Sequence, residues 1–134
     1  RPGLDMSFSG LKTQVLTTWL ASDQSEQTKA NIAASFQKAI CDTLVIKCKR
    51  AIEQTQIKNL VVSGGVSANI CLRESLSTLM ASVKGQAYYP RMEFCTDNGA
   101  MAAYLGWRCY TEKQMQDQNS AIICYPRLPL SEEA

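Results

Sequence analysis

Apolar side chains recur at every fourth position through the middle of this chain: Ile32, Phe36, Ile40, Leu44, Cys48 and Ile52. Ala33, Val45 and Ala51 widen the stripe, while Lys38, Lys49 and Arg50 fall largely off it. That spacing keeps one face of an α-helix apolar, so it predicts a long helix ending near the "EQTQ" at 53–56. Asp23 followed by Glu26 reads as a capping box with Asp in the Ser/Thr place, and Ser25 is a second candidate cap. Upstream, Leu11 to Leu20 is a shorter helical pattern, broken by "ASDQSEQ". The opening "RPGLDMSFSGLKT" is turn-rich around a short alternating stretch that reads as an edge strand.

The pattern changes after the long helix. "IKNLVVS", 57–63, is short, β-branched and bounded by Gly64-Gly65, which predicts a buried strand. A helix is expected from about Ser67 to Val83, with Leu72, Leu76, Leu79 and Met80 on one side. "GQAYYP" supplies a second strand, stopped by Pro90. "FCTDNGAMAAYLGW" gives a turn at Thr96-Asp97-Asn98 and a last helix through about Tyr110. The expected division is a domain over 1–113 and a loosely ordered tail over 114–134. Strands alternating with helices imply an α/β layer of parallel strands with flanking helices. Two strands are fewer than an ordinary sheet holds. Together with the missing initiator methionine, this gives the expectation that Arg1 lies inside a longer polypeptide, processing being the other explanation of the start.

Composition narrows the class only a little. The chain has 134 residues, 46% apolar and 19% charged, with a net charge of +2, as expected for one soluble domain with a core. That balance does not argue for nucleic acid; Lys47, Lys49, Arg50, Arg73, Arg91 and Arg108 are scattered, apart from a small cluster at 47–50. The 6 cysteines form no C-x-x-C pair and histidine is absent, which excludes a zinc finger. They read as reduced core residues of a cytosolic protein. No run approaches the ~20 apolar residues of a membrane span, and the start has no signal-peptide apolar region.

Two turns carry candidate chemistry. Ser63-Gly64-Gly65 lies at the carboxyl end of a predicted strand, where open α/β sheets bind ligands. Glycine lets backbone approach a ligand with no Cβ in the way, and amides at a helix start favour an anion. Asn69 adds a short amide that can donate to an oxygen. The turn is neither a Walker A loop nor G-x-G-x-x-G, so a phosphate site and a plain tight turn both remain open. Asp97, at the second strand end, has two readings as well: a cap for the last helix, or a carboxylate presented to a metal. The two turns are expected at equivalent sheet ends, where their ligands would converge.

"LDMSFSGLKT", "VVSGGVSANICLRESL" and "CTDNGAMAAYLGW" stand in the order and at the spacing that resemble the tRNA adenosine threonylcarbamoyltransferases, once called O-sialoglycoprotein endopeptidases. The similarity runs from about Pro2 to Trp107. It implies the C-terminal part of an actin-like ATPase (ribonuclease-H-like) fold. It also implies transfer of threonylcarbamoyl from threonylcarbamoyl-adenylate to the adenosine beside the anticodon of ANN-decoding tRNAs. By resemblance, Gly64 and Gly65 approach the phosphate of the adenylate, and Asn69 binds the substrate. Asp97 resembles a ligand of the family's single divalent metal, usually iron. Ser9, Gly10 and Lys12 match a further family signature without an assigned role.

The family's two histidine ligands, from an H-x-x-x-H motif, have no counterpart here, and neither does its first subdomain. The chain alone is therefore not expected to be a competent transferase. The implied partners are tRNA, an adenine nucleotide and the protein subunits of the threonylcarbamoyladenosine synthesis complex. The implied setting is the cytoplasm, without a membrane. An open sheet edge also makes a dimer of the fragment an expectation. The alternative is a truncated, non-catalytic nucleotide-binding or assembly module. A peptidase is excluded, because the chain has no Ser-His or Cys-His pair and no H-E-x-x-H.

Overall fold

The computed structural model describes residues 3–112, which divide after Asp97 into two compact units. In the first, helix α1 runs over Ser9–Leu20 and helix α2 over Glu26–Thr55. No glycine or proline interrupts α2 through its 30 residues. Ser25 caps it by accepting from the Thr28 amide at 3.2 Å, and the Asp23 carboxylate in turn accepts from the Ser25 amide and hydroxyl. The second candidate cap is thus the one used. The six every-fourth positions from Ile32 to Ile52 are all at least partly buried, while Ala33 beside them is exposed.

Strand β1 (Asn59–Val61) and strand β2 (Gln86–Tyr88) pair in parallel, with Leu60 opposite Ala87. Helix α3 (Ile70–Ser82) connects them, and its Leu72, Leu76, Leu79 and Met80 are all buried. They pack with Cys41 and Ile52 of α2, and against Leu60 and Ala87 of the strands. Removing a leucine of this size from water contributes roughly 1.5–3 kcal/mol. A mixed α/β arrangement with parallel strands and flanking helices is therefore present, although helix dominates. The second unit contributes helix α4, Gly99–Thr111. Among the described residues no helix is long and apolar enough to cross a membrane.

Three expectations are corrected. Residues 3–8 form no strand, because their alternating pattern finds no neighbouring strand with which to share hydrogen bonds. Helix α3 begins at Ile70 and not near Ser67, since a short 3-10 turn over Gly65–Ala68 intervenes. Lys47 is not a surface cation: it is 8% exposed, and its ammonium donates to the Gly3 carbonyl at 2.7 Å. The cluster at 47–50 is thereby divided, with Lys49 and Arg50 exposed. The expected tail over 114–134, with Cys124, lies outside the described residues.

Candidate functional site

The first turn is built directly on the end of β1. The Val62 amide still donates to Tyr88 at 3.0 Å, and the chain then leaves the ladder at Ser63-Gly64. Gly64 has φ 85° and ψ 172°, a region open in practice to glycine alone, where another residue costs about 1–3 kcal/mol. Backbone geometry explains this glycine. Gly65 is different. Its φ is ordinary and a Cβ there would meet nothing within 4 Å, so neither the fold nor the packing requires its bareness.

Within the turn the amide of Ser67 donates to Gly64 and that of Asn69 to Val66. The described hydrogen bonds do not use the amides of Gly65 and Val66. Ser67 is fully buried, and its hydroxyl has no partner among the described residues.

Asn69 stands at the N-cap of α3 and not inside its first turn. Its Oδ1 accepts from the Leu72 amide at 3.0 Å, and its Nδ2 donates to Gln37 Oε1 at 3.2 Å. Gly65, Val66 and Asn69 line one side of a cleft of about 470 Å³, with Phe36, Gln37 and Cys41 of α2 on the other. Burial, and then the neighbouring Cys71 thiol, push the Cys41 thiol above its ordinary pKa. It is a neutral wall group and not a nucleophile. A second, apolar cleft of about 330 Å³ between α1 and α2 lies away from these polar groups.

The second turn follows β2 through Tyr89, Pro90 and a 3-10 turn over Met92–Phe94. Cys95 is 1% exposed, while Asp97 faces solvent. The cap of α4 is Asn98, whose side chain accepts from the Met101 amide at 3.2 Å. The capping reading of Asp97 is thus overturned: its neighbour does that work. Among the described residues Asp97 makes no hydrogen bond or ion pair. The fold brings Gly64, Gly65 and Asn69 together, and places Asp97 beyond the carboxyl end of the adjacent parallel strand.

A resident metal fits these residues poorly. Among the described residues no group of three or more His, Cys, Asp or Glu side chains could hold one, and the chain has no histidine. Asp97 offers one carboxylate, and a stable divalent site needs several donors. Ser9 opens α1, where its hydroxyl meets that of Ser7 at 3.2 Å, and Lys12 is exposed; neither lines the cleft beside Gly65.

Sequence reasoning left two residues without a role. Gln37 is exposed and off the apolar stripe, so nothing marked it as the partner of Asn69. Arg73 was one cation among several, yet its guanidinium reaches both turns. The available signal was its place four residues after Asn69, on the same face of α3.

A model of one protein family, tRNA N6-adenosine threonylcarbamoyltransferase, matches residues 2–104. The match takes in both turns and reaches into α4.

Proposed function

The chain belongs to the tRNA N6-adenosine threonylcarbamoyltransferase family, and on that premise we propose that it serves the transfer of threonylcarbamoyl from threonylcarbamoyl-adenylate to the adenosine beside the anticodon of ANN-decoding tRNAs. In this reading residues 1–113 are the C-terminal portion of an actin-like fold and 114–134 are its tail. The adenosine N6 amine attacks the carbamoyl carbon, a C–N bond forms, and the amine gives up a proton. The C–O bond to the phosphate breaks and AMP leaves with the negative charge.

The backbone of Gly64 and Gly65 is the part of this chain that meets that phosphate. The amides of Gly65 and Val66 donate to its oxygens as charge develops there. Asn69 holds the substrate from the same cleft through its carboxamide. Asp97 offers its carboxylate as one ligand to a divalent metal, iron in the first instance. The donors here do not complete such a site, so no step is routed through it. A tRNA, a cytoplasmic setting and the protein subunits of the synthesis complex follow from the family reading alone.

Gly65 carries the proposal, because its missing Cβ serves no purpose within the fold. A ligand passing close to the backbone supplies that purpose. The test is Gly65→Ala in the full native polypeptide, read by calorimetric titration with AMP and by thermal unfolding. The expected result is affinity about tenfold lower or worse, with Tm unchanged or raised by about a few degrees. Unaltered affinity would leave Gly64-Gly65 a plain turn.

A second reading is a non-catalytic nucleotide-binding or assembly module, which would keep the glycine turn and the cleft beside Asn69 without the reaction. A dimer paired along the open edge of the two-stranded sheet belongs to that reading. AMP binding by the full native polypeptide without any transfer to tRNA would select it.

A further inference from the structure

Arg73 lies on the first turns of α3, half-buried, with its amide bonded to Asn69 at 3.1 Å. Its Nε donates to the Ser67 carbonyl at 2.5 Å, inside the glycine turn. Its Nη2 donates to the Pro90 carbonyl at 2.8 Å and to Cys95 Sγ at 3.2 Å, both in the segment that leads from β2 to Asp97. The guanidinium carbon sits 4.9 Å from the centre of the Tyr89 ring. The Tyr89 hydroxyl closes the circuit by donating to the Arg73 carbonyl at 3.0 Å.

The chemistry of these partners is informative. Ser67 and Pro90 lie outside the strand ladder, so their carbonyls need donors from elsewhere. Arginine presents its donors in a rigid planar fork that can serve two directions at once and stack on a ring, which a lysine ammonium cannot. None of the ion pairs in the described residues involves Arg73. Among the described residues its charge is met by carbonyl dipoles and a π face, and no carboxylate pairs with it.

We propose that Arg73 is a positioning residue that holds the glycine turn and the Asp97 segment in one fixed relation, and that adds uncompensated positive charge where the two strand ends meet. It acts through the Ser67, Pro90 and Cys95 atoms that it binds and touches no reacting atom itself. The nucleotide arm of the test rests on the proposed function; the exchange arm does not.

The experiment compares Arg73→Met and Arg73→Lys with Leu79→Ala, a core variant that lowers stability without touching either turn. All are made in the full native polypeptide. Hydrogen–deuterium exchange is followed for residues 63–69 and 91–97, and AMP affinity is titrated at two salt concentrations. Arg73→Met is expected to speed exchange in both segments together and to weaken AMP about tenfold or more. Arg73→Lys, with charge but no fork, is expected to leave exchange fast in both segments while recovering part of the affinity at low salt. Leu79→Ala is expected to lower Tm and leave the affinity and the contrast between segments unchanged.

Faster exchange in one segment only, or a profile like that of Leu79→Ala, would overturn the clamp. If the native protein binds no AMP, the nucleotide reading fails, and the paired exchange of the two segments still decides the role of Arg73.

Discussion

Asn69 shows how one side chain serves fold and site at once. Its carboxamide oxygen caps α3 through the Leu72 amide, while its nitrogen faces Gln37 across the cleft. Asn69→Ala removes both functions, and loss of the cap alone costs about 0.5–2 kcal/mol. A weaker ligand affinity in that variant would therefore say little about substrate. Asn69→Ser separates the two, since a serine hydroxyl still accepts from the Leu72 amide but offers no carboxamide nitrogen to a ligand. The expected outcome is thermal stability close to native for Asn69→Ser, lower for Asn69→Ala, and AMP affinity reduced in both. Native affinity in Asn69→Ser would remove Asn69 from the substrate contacts and leave it a helix cap. The sequence marked Asn69 by its motif. Its capping role depends on where the 3-10 turn ends, which no local pattern announces.

At the scale of elements, the helices were legible because their apolar spacing repeats over many turns. The stripe from Ile32 to Ile52 leaves little choice of face. The strands were legible only in place and direction. Seven residues were expected around Leu60, but only Asn59–Val61 pair, because the length of a ladder depends on its partner and not on its own β-branched run. The alternation in "LDMSF" likewise produced no strand.

The contact that sets α3 against β1 was invisible in the sequence. Gly85 follows α3 with its amide bonded to Met80 at 2.8 Å. A Cβ there would stand 2.5 Å from the Met80 methyl and 2.6 Å from the Lys58 carbonyl. The methionine tip can swing aside, but that carbonyl already accepts from Gln86 at 2.8 Å and is held by the ladder. Gly85→Ala is expected to destabilise by about 1–3 kcal/mol. Gly106→Ala, in the interior of α4 where a Cβ meets nothing within 4 Å, is expected to stabilise by roughly 0.5–1 kcal/mol. Urea unfolding of the two variants tests the pair. Equal shifts would mean that Gly85 is a flexible link and not a close-packed one.

At the scale of the whole molecule, the described core is small: seven buried apolar residues, with Val61 at 74% and Tyr88 at 51% exposure on the open face of the sheet. A core of this size makes stability sensitive to single titrating groups. Three such groups bound it on the pH axis. Hydrogen bonds from the Thr28 hydroxyl, then from the Ser25 amide and hydroxyl, hold Asp23 below the ordinary carboxylate range. Its contribution is present above about pH 4 and is lost as pH falls through the folded value. Burial pushes the Cys48 thiol up, and burial with the adjacent Cys71 does the same for Cys41. Folding therefore favours the protonated thiols. Their contribution is complete below the unfolded thiol value of about 8.5 and is lost as pH rises through the folded values. Melting temperature should thus hold a plateau from weakly acid to neutral pH and decline at both ends. Replacing Cys41 and Cys48 by alanine should lower the plateau, through lost packing, and flatten the decline above about pH 8.5. An alkaline limb of unchanged slope in the double variant would assign that decline to other groups. It would leave the two thiols as packing residues whose ionisation is not felt by the fold.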